Sequence, residues 1–209
     1  MKNNSIQADR RQVLRLLAVA GAAAGTAALT APVLAAKCET DGTPLQFVPK
    51  TAPDPNPLDD DIAKYPKCPY CGMDRKQYHH SRMLVHYTDD LPDATCSLHC
   101  ASLSLALNID REPKAIYVAD NTSAAEIKPL IEADKATFLV GSQIKGVMTK
   151  RSKVAYGSEE AAKISQAANG GELVNFDQAL LTVYTDMSQD VTMIRKNRAE
   201  RRKRAQQKG

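Results

Sequence analysis

The chain has 209 residues, enough for one or two compact domains, and its 43% hydrophobic content supports a packed core, with no tryptophan. Its formal charge of +4 is unevenly spread: the segment from Val191 onward holds eight basic residues against Glu200, and Lys2, Arg10, Arg11 and Arg15 face only Asp9 at the other end. The body between is therefore mildly acidic; nucleic acid is not an expected partner for a chain read below as exported, and no phosphate loop, nucleotide motif or Ser-His-Asp arrangement is present.

Residues 1–36 read as a targeting segment. Asp9-Arg10-Arg11-Gln12-Val13-Leu14-Arg15 resembles the twin-arginine export motif and leads into an Ala/Gly-rich apolar run over residues 16–29. Small residues at Ala35 and Ala36 then offer a cleavage site. The expected location is the periplasm, an oxidising compartment in which bare thiols drift toward disulfides. An uncleaved anchor is the alternative. Lys37 stands where a lipoprotein needs a small residue before Cys38, so lipidation is not expected, and Cys38 itself reads as an incidental thiol.

Residues 37–63 are rich in proline and aspartate, continuing to Pro66, and read as an extended lead-in without helix or interior strand. Next comes Cys68-Pro69-Tyr70-Cys71-Gly72-Met73. Pro69 stiffens this turn and Gly72 can take positive φ, which lets backbone N–H groups point at sulfur, as in a metal knuckle. Residues 82–88 read as a strand, 89–93 as a turn and 94–96 as a short second strand. A helix is expected over 97–108 with Ser97 as N-cap, so that Cys96 and Cys100 bracket its first turn, where the dipole favours thiolate. Residues 114–119 form a third strand.

The same order recurs: strands over 136–140 and 152–156, a capped helix over 158–168 and a strand over 172–175. Residues 121–135 connect the modules, partly as a short helix. A last helix runs from Phe176 to about Met193 and frays into the basic tail. The expected fold class is α+β, two ββαβ modules in tandem, with a domain over 64–198 (modules about 64–120 and 136–176) and a tail over 199–209.

The four thiols Cys68, Cys71, Cys96 and Cys100 form two tight pairs, with 24 residues between the pairs. Their functional reading is a soft-metal site; two disulfides or buried thiols are the plain alternatives. Met73 adds a thioether, and thiolate with thioether selects Cu(I), whereas zinc is content with four thiolates. The candidate ligands are therefore Cys68, Cys71, Met73, Cys96 and Cys100. His99 is expected to point away from both neighbouring cysteines, and His79 and His80 to lie in a polar loop. Met83 and His86 fall on opposite faces of one strand. The basic tail is either a solvated helix end or a surface drawn to anionic lipid or an acidic partner.

Over residues 64–198 the chain resembles the NosL family of nitrous oxide reductase accessory proteins. The likeness rests on Cys68-Pro69-Tyr70-Cys71-Gly72-Met73-Asp74, Ser81-Arg82-Met83-Leu84, Thr95-Cys96-Ser97-Leu98-His99-Cys100, Gly146-Val147-Met148-Thr149-Lys150 and Asn169-Gly170-Gly171-Glu172-Leu173. The resemblance implies an exported Cu(I)-binding metallochaperone with no catalytic turnover, supplying copper to a periplasmic cuproenzyme, and a scaffold shared with organomercurial lyase. The cysteine pattern also resembles the TRASH and YHS knuckles, which keeps a structural zinc module as the alternative. A thiol oxidoreductase using Cys68 and Cys71 would need a thioredoxin-like strand pattern ahead of the motif, which is missing.

Overall fold

The computed structural model describes residues 51–207. The export segment, the start of the lead-in with Cys38, and the last two tail residues lie outside them. Two small antiparallel sheets and their helices carry the structure. The first module is β1 (Met83–Tyr87), β2 (Asp93–Thr95), α2 (Leu98–Leu107) and β3 (Pro113–Ala119). The second is β5 (Thr137–Val140), β6 (Lys153–Tyr156), α3 (Glu159–Asn169) and β7 (Glu172–Val174), followed by the long helix α4 (Phe176–Gln206). In each module the first strand is central: the orders are β2-β1-β3 and β6-β5-β7, and the fold is the tandem ββαβ arrangement that the element pattern predicts.

Two parts of the lead-in and connector differ from expectation. Asp61–Lys64 forms one turn of helix, α1, inside a segment expected to be extended. Leu130–Glu132 forms a further strand, β4, which pairs antiparallel with β3 and is followed by a 3₁₀ turn at Ala133–Lys135. Three residues carry too little periodicity to announce a strand; pairing with β3 supplies the hydrogen bonds that make it one. The last helix also continues to Gln206, so the basic tail is helical rather than frayed. Its start is held by a capping box in which Asn175 and Gln178 each accept from the other's backbone N–H.

Met83, Val85 and Tyr87 alternate onto one face of β1, as a strand of period two requires. That face packs against Leu98 and Ala101 of α2, Phe138 and Val140 of β5, and Phe176, Ala179 and Val183 of α4 in one continuous core. Burying a side chain of this size contributes roughly 1.5–3 kcal/mol. Both sheets share the core, which fixes the modules against each other. No helix among the described residues is long and apolar enough to cross a membrane.

Arg75 and Arg82, 0% and 3% exposed, converge on Asp61. Arg75 donates to the Asp61 carboxylate at 2.8 Å and to the carbonyls of Asp61, Tyr65 and Thr95, while Arg82 grips both carboxylate oxygens at 3.0 Å. This buried triad is why residues 61–64 curl into α1. Burial pushes the Asp61 carboxyl up, but Arg82 and Arg75 outweigh it and hold the group below its ordinary value. A depressed carboxyl contributes stability above its unfolded value of about 3.9 and loses it as pH falls through the folded one. Asp61→Asn leaves two buried guanidiniums without a counter-charge and is expected to cost about 3–5 kcal/mol in urea unfolding at pH 7. The gap between wild type and variant is expected to shrink below about pH 4, and a constant gap down to pH 2 would contradict the role of the triad.

Candidate metal centre

The knuckle is built by local backbone geometry. Gly72, at φ 76°, turns the chain so that its N–H reaches the Cys68 carbonyl at 2.8 Å, while the Cys68 N–H reaches the Met73 carbonyl at 2.9 Å. The backbone N–H groups of Cys71 and Met73 are directed at the sulfurs of Cys68 and Cys71, as the sequence predicts for such a turn. The second pair sits at the strand-to-helix junction. Cys96 follows β2, Ser97 occupies the N-cap position of α2, and Cys100 lies in its first turn. Ser97 makes no side-chain cap; its hydroxyl lies 3.8 Å from the Cys96 sulfur instead.

Strand pairing brings the pairs together. In the β1–β2 hairpin Met83 faces Thr95, so the chain entering β1 and the chain leaving β2 are at the same sheet end. Side chains then lock the knuckle there. Tyr70 donates to the buried Asp93 carboxylate at 2.5 Å, Arg75 to the Thr95 carbonyl at 3.2 Å, and Ser81 to the Cys96 carbonyl at 2.8 Å. Ser104 of α2 donates to the same Asp93 oxygen at 2.6 Å.

All four sulfurs lie within 4.8 Å of one another. Cys71 and Cys96 are 3.4 Å apart and Cys96 and Cys100 3.8 Å. Cys68, Cys96 and Cys100 are buried, and Cys71 is half-buried. Met73 packs on this cluster, and so do Tyr78, Val147 and Met148. Met148 is the residue whose part is illegible in the sequence: it comes from the second module, between β5 and β6, and only the fold packs its side chain against the cluster that holds the thiols.

Histidine takes no part in the cluster among the described residues. His79 accepts from the Lys128 N–H at 3.3 Å, the His80 carbonyl is held by Asn121, and His86 pairs with Asp90 at 2.8 Å. His99 points away from the thiols, as expected, and is buried with Nδ1 3.6 Å from an Asp190 oxygen. Burial pushes its pKa down against the pull of Asp190.

The thiols differ in proton affinity. Hydrogen bonding from Cys100, then from Cys71 and Cys96, holds Cys68 well below the ordinary thiol range. Cys71 is lowered too, chiefly by Cys100. Those bonds to Cys68, Cys71 and Cys96, with burial, push Cys100 far up. Four crowded sulfurs cannot all become anions without a cation, so the cluster ionises readily at the knuckle and reluctantly at the helix. This is the electrostatics of a site for a soft cation, and the four-cysteine geometry fits metal binding.

The NosL family model matches residues 59–183. The chain belongs to the NosL family. Among curated proteins, none matches this NosL-family chain. Of solved structures, the crystal structure of the copper chaperone NosL from Shewanella denitrificans is 25% identical, with 53% of this chain and 87% of that one covered at a TM-score of 0.45. The solution structure of the apo-NosL protein from Achromobacter cycloclastes is 22% identical, with 46% and 82% covered at a TM-score of 0.33. The matched stretch spans all four cluster thiols and both thioethers.

Cys71 combines a lowered pKa with being the least buried of the four thiols. In reduced, metal-free protein at pH 7 it is expected to react with iodoacetamide at least tenfold faster than Cys68, Cys96 or Cys100, read by peptide mass spectrometry. Equal rates for the four would show that the cluster does not hold together in solution.

Proposed function

We propose that this chain is an exported Cu(I) carrier that holds its cargo at the thiol cluster and passes it to a periplasmic cuproenzyme, nitrous oxide reductase being the client that the family implies. The observation that carries the reading is the convergence of four thiols, with Met73 and Met148 packed against their cluster, in a NosL-family chain. The proposed donors are Cys68, Cys71, Met73, Cys96 and Cys100, with Met148 added by its place on the cluster. Cu(I) needs only two or three soft donors, so thiols are left over. Cys68 and Cys71 give up their protons most readily and take the cation as thiolates. Cys71, half open to solvent, is where an incoming thiolate can bind copper before the Cys71 bond breaks. The ion keeps its charge throughout, and the freed thiolate regains a proton. No bond of a substrate is made or cut, so no turnover is involved.

One observation favours a second reading. A tetrahedron of sulfurs around zinc at 2.3 Å has edges of about 3.8 Å, and the Cys71–Cys96 and Cys96–Cys100 separations of 3.4 and 3.8 Å are close to it, with all four sulfurs within 4.8 Å of one another. Closed by zinc, the cluster would be a structural centre. Anaerobic X-ray absorption and chelator competition separate the two. A carrier is expected to bind Cu(I) with two or three sulfur neighbours, and Met73→Ala or Met148→Ala to weaken Cu(I) at least tenfold while changing Zn²⁺ affinity less than twofold. Tight zinc with negligible Cu(I) binding would overturn the carrier.

The export motif supports a periplasmic site of action, and the basic end of α4 supports attraction to an acidic partner, with anionic lipid as its competitor. Arg195, Lys196, Arg198, Arg201, Arg202, Lys203 and Arg204 surround a helix with only Glu200 opposed to them. They leave no apolar face for insertion into a bilayer. In cell fractions the full chain is expected in the periplasm, and Arg10→Lys with Arg11→Lys is expected to retain it in the cytoplasm. Deleting residues 195–209 is expected to slow client maturation; unchanged maturation would remove the tail from the mechanism.

A further inference from the structure

The turn that delivers Met148 is held in a conformation its own sequence does not favour. Met148 has φ 59°, in the left-handed region that non-glycine residues rarely enter. Two residues before it the chain is so close that a Cβ on Gly146 would come within 2.6 Å of the Thr149 carbonyl oxygen. Backbone strain of this kind persists only where surrounding contacts over-determine it, and it gathers at sites where a side chain must be aimed.

The contacts come from α4. Asp190 accepts the Lys150 N–H at 2.9 Å through Oδ1. One turn earlier Asp186 binds Arg151 and, at 2.8 Å, Lys153, whose ammonium also donates to Thr149 at 3.0 Å. Asp190 is 1% exposed, and its other oxygen has no hydrogen-bond partner. That oxygen faces Nδ1 of His99, which is equally buried and equally unpartnered, at 3.6 Å. His99 directly precedes Cys100. A buried carboxylate is costly, and one kept only to cap a single amide would be a poor choice for packing. Here it stands between the loop that carries Met148 and the helical turn that carries Cys100.

We infer that Asp190 is a positioning residue of the metal centre: it ties the Met148 turn to the thiol-bearing end of α2 and so keeps the thioether on the cluster. This rests on the reading above that the cluster holds a soft ion. Asp190 lies on α4 beyond the residues 59–183 that match the family model.

The test uses the reduced full chain and the variants Asp190→Ala, Asp190→Asn, Met148→Ala and the Asp190→Ala/Met148→Ala double variant. In metal-free protein labelled with ¹³C-methyl methionine, Asp190→Ala is expected to move the Met148 methyl resonance toward its random-coil position. Asp190→Asn, which still offers an oxygen to Lys150, is expected to restore it. In chelator competition Asp190→Ala is expected to lose at least tenfold in Cu(I) affinity, and to lose less than twofold when Met148 is already alanine. Should Asp190→Ala fail to fold, Asp190→Ser, polar but too short to reach the Lys150 amide, carries the same measurements. An unmoved Met148 resonance, or equal Cu(I) losses with and without Met148, overturns the inference. If wild type ignores Cu(I), the carrier reading fails by itself, and the methyl resonance still decides whether Asp190 positions Met148.

Discussion

The site depends on the register of one hairpin. Met83 opposite Thr95 sets the start of β1 beside the end of β2, and the two cysteine pairs hang on those ends. A slip of one residue would turn the alternating face of β1 away from the core and move Cys96 relative to the knuckle. The buried alternation of Met83, Val85 and Tyr87 is what forbids the slip. Sulfur geometry is thus inherited from the hydrophobic packing of β1. The cross-ties from Tyr70, Arg75 and Ser81 then remove what freedom remains.

What could be read from the residues alone is what local chemistry decides. Gly72 takes the positive φ that a knuckle needs, and Cys100 falls in the first turn of a helix whose boundaries follow from its flanking residues. The order of strands and helices is carried by alternation and turn residues, so the tandem modules were also legible. Strand β4 was not, because Leu130–Glu132 becomes a strand only through β3. Helix α1 was not, because Asp61 is drawn inward by guanidiniums 14 and 21 residues away. Met148 shows the same limit at the site itself: a motif placed it in a family, and only the meeting of the two modules places it on the thiols.

Crowding the thiols gives the cluster a graded response. A lone buried thiol resists ionisation, yet four in contact let the first thiolate be solvated by its neighbours' S–H groups. Each further proton is harder to remove, since charge accumulates where water is scarce. A cation therefore meets a site that yields one or two thiolates easily and withholds the others. Such a site binds without committing every sulfur, which is the condition for exchange, and its least buried member, Cys71, is also one whose proton leaves readily.

Helix α4 joins these properties along one axis. Its first turns bury Phe176, Ala179 and Val183 in the core. The next two place Asp186 and Asp190 against the loop after β5, and Asp190 beside His99. From Arg195 the helix is exposed and basic. Because a helix rises about 1.5 Å per residue, the first of these cations lies little more than one turn beyond Asp190. The position that the core gives to the first turns is therefore passed along the helix to the residues that hold the Met148 loop.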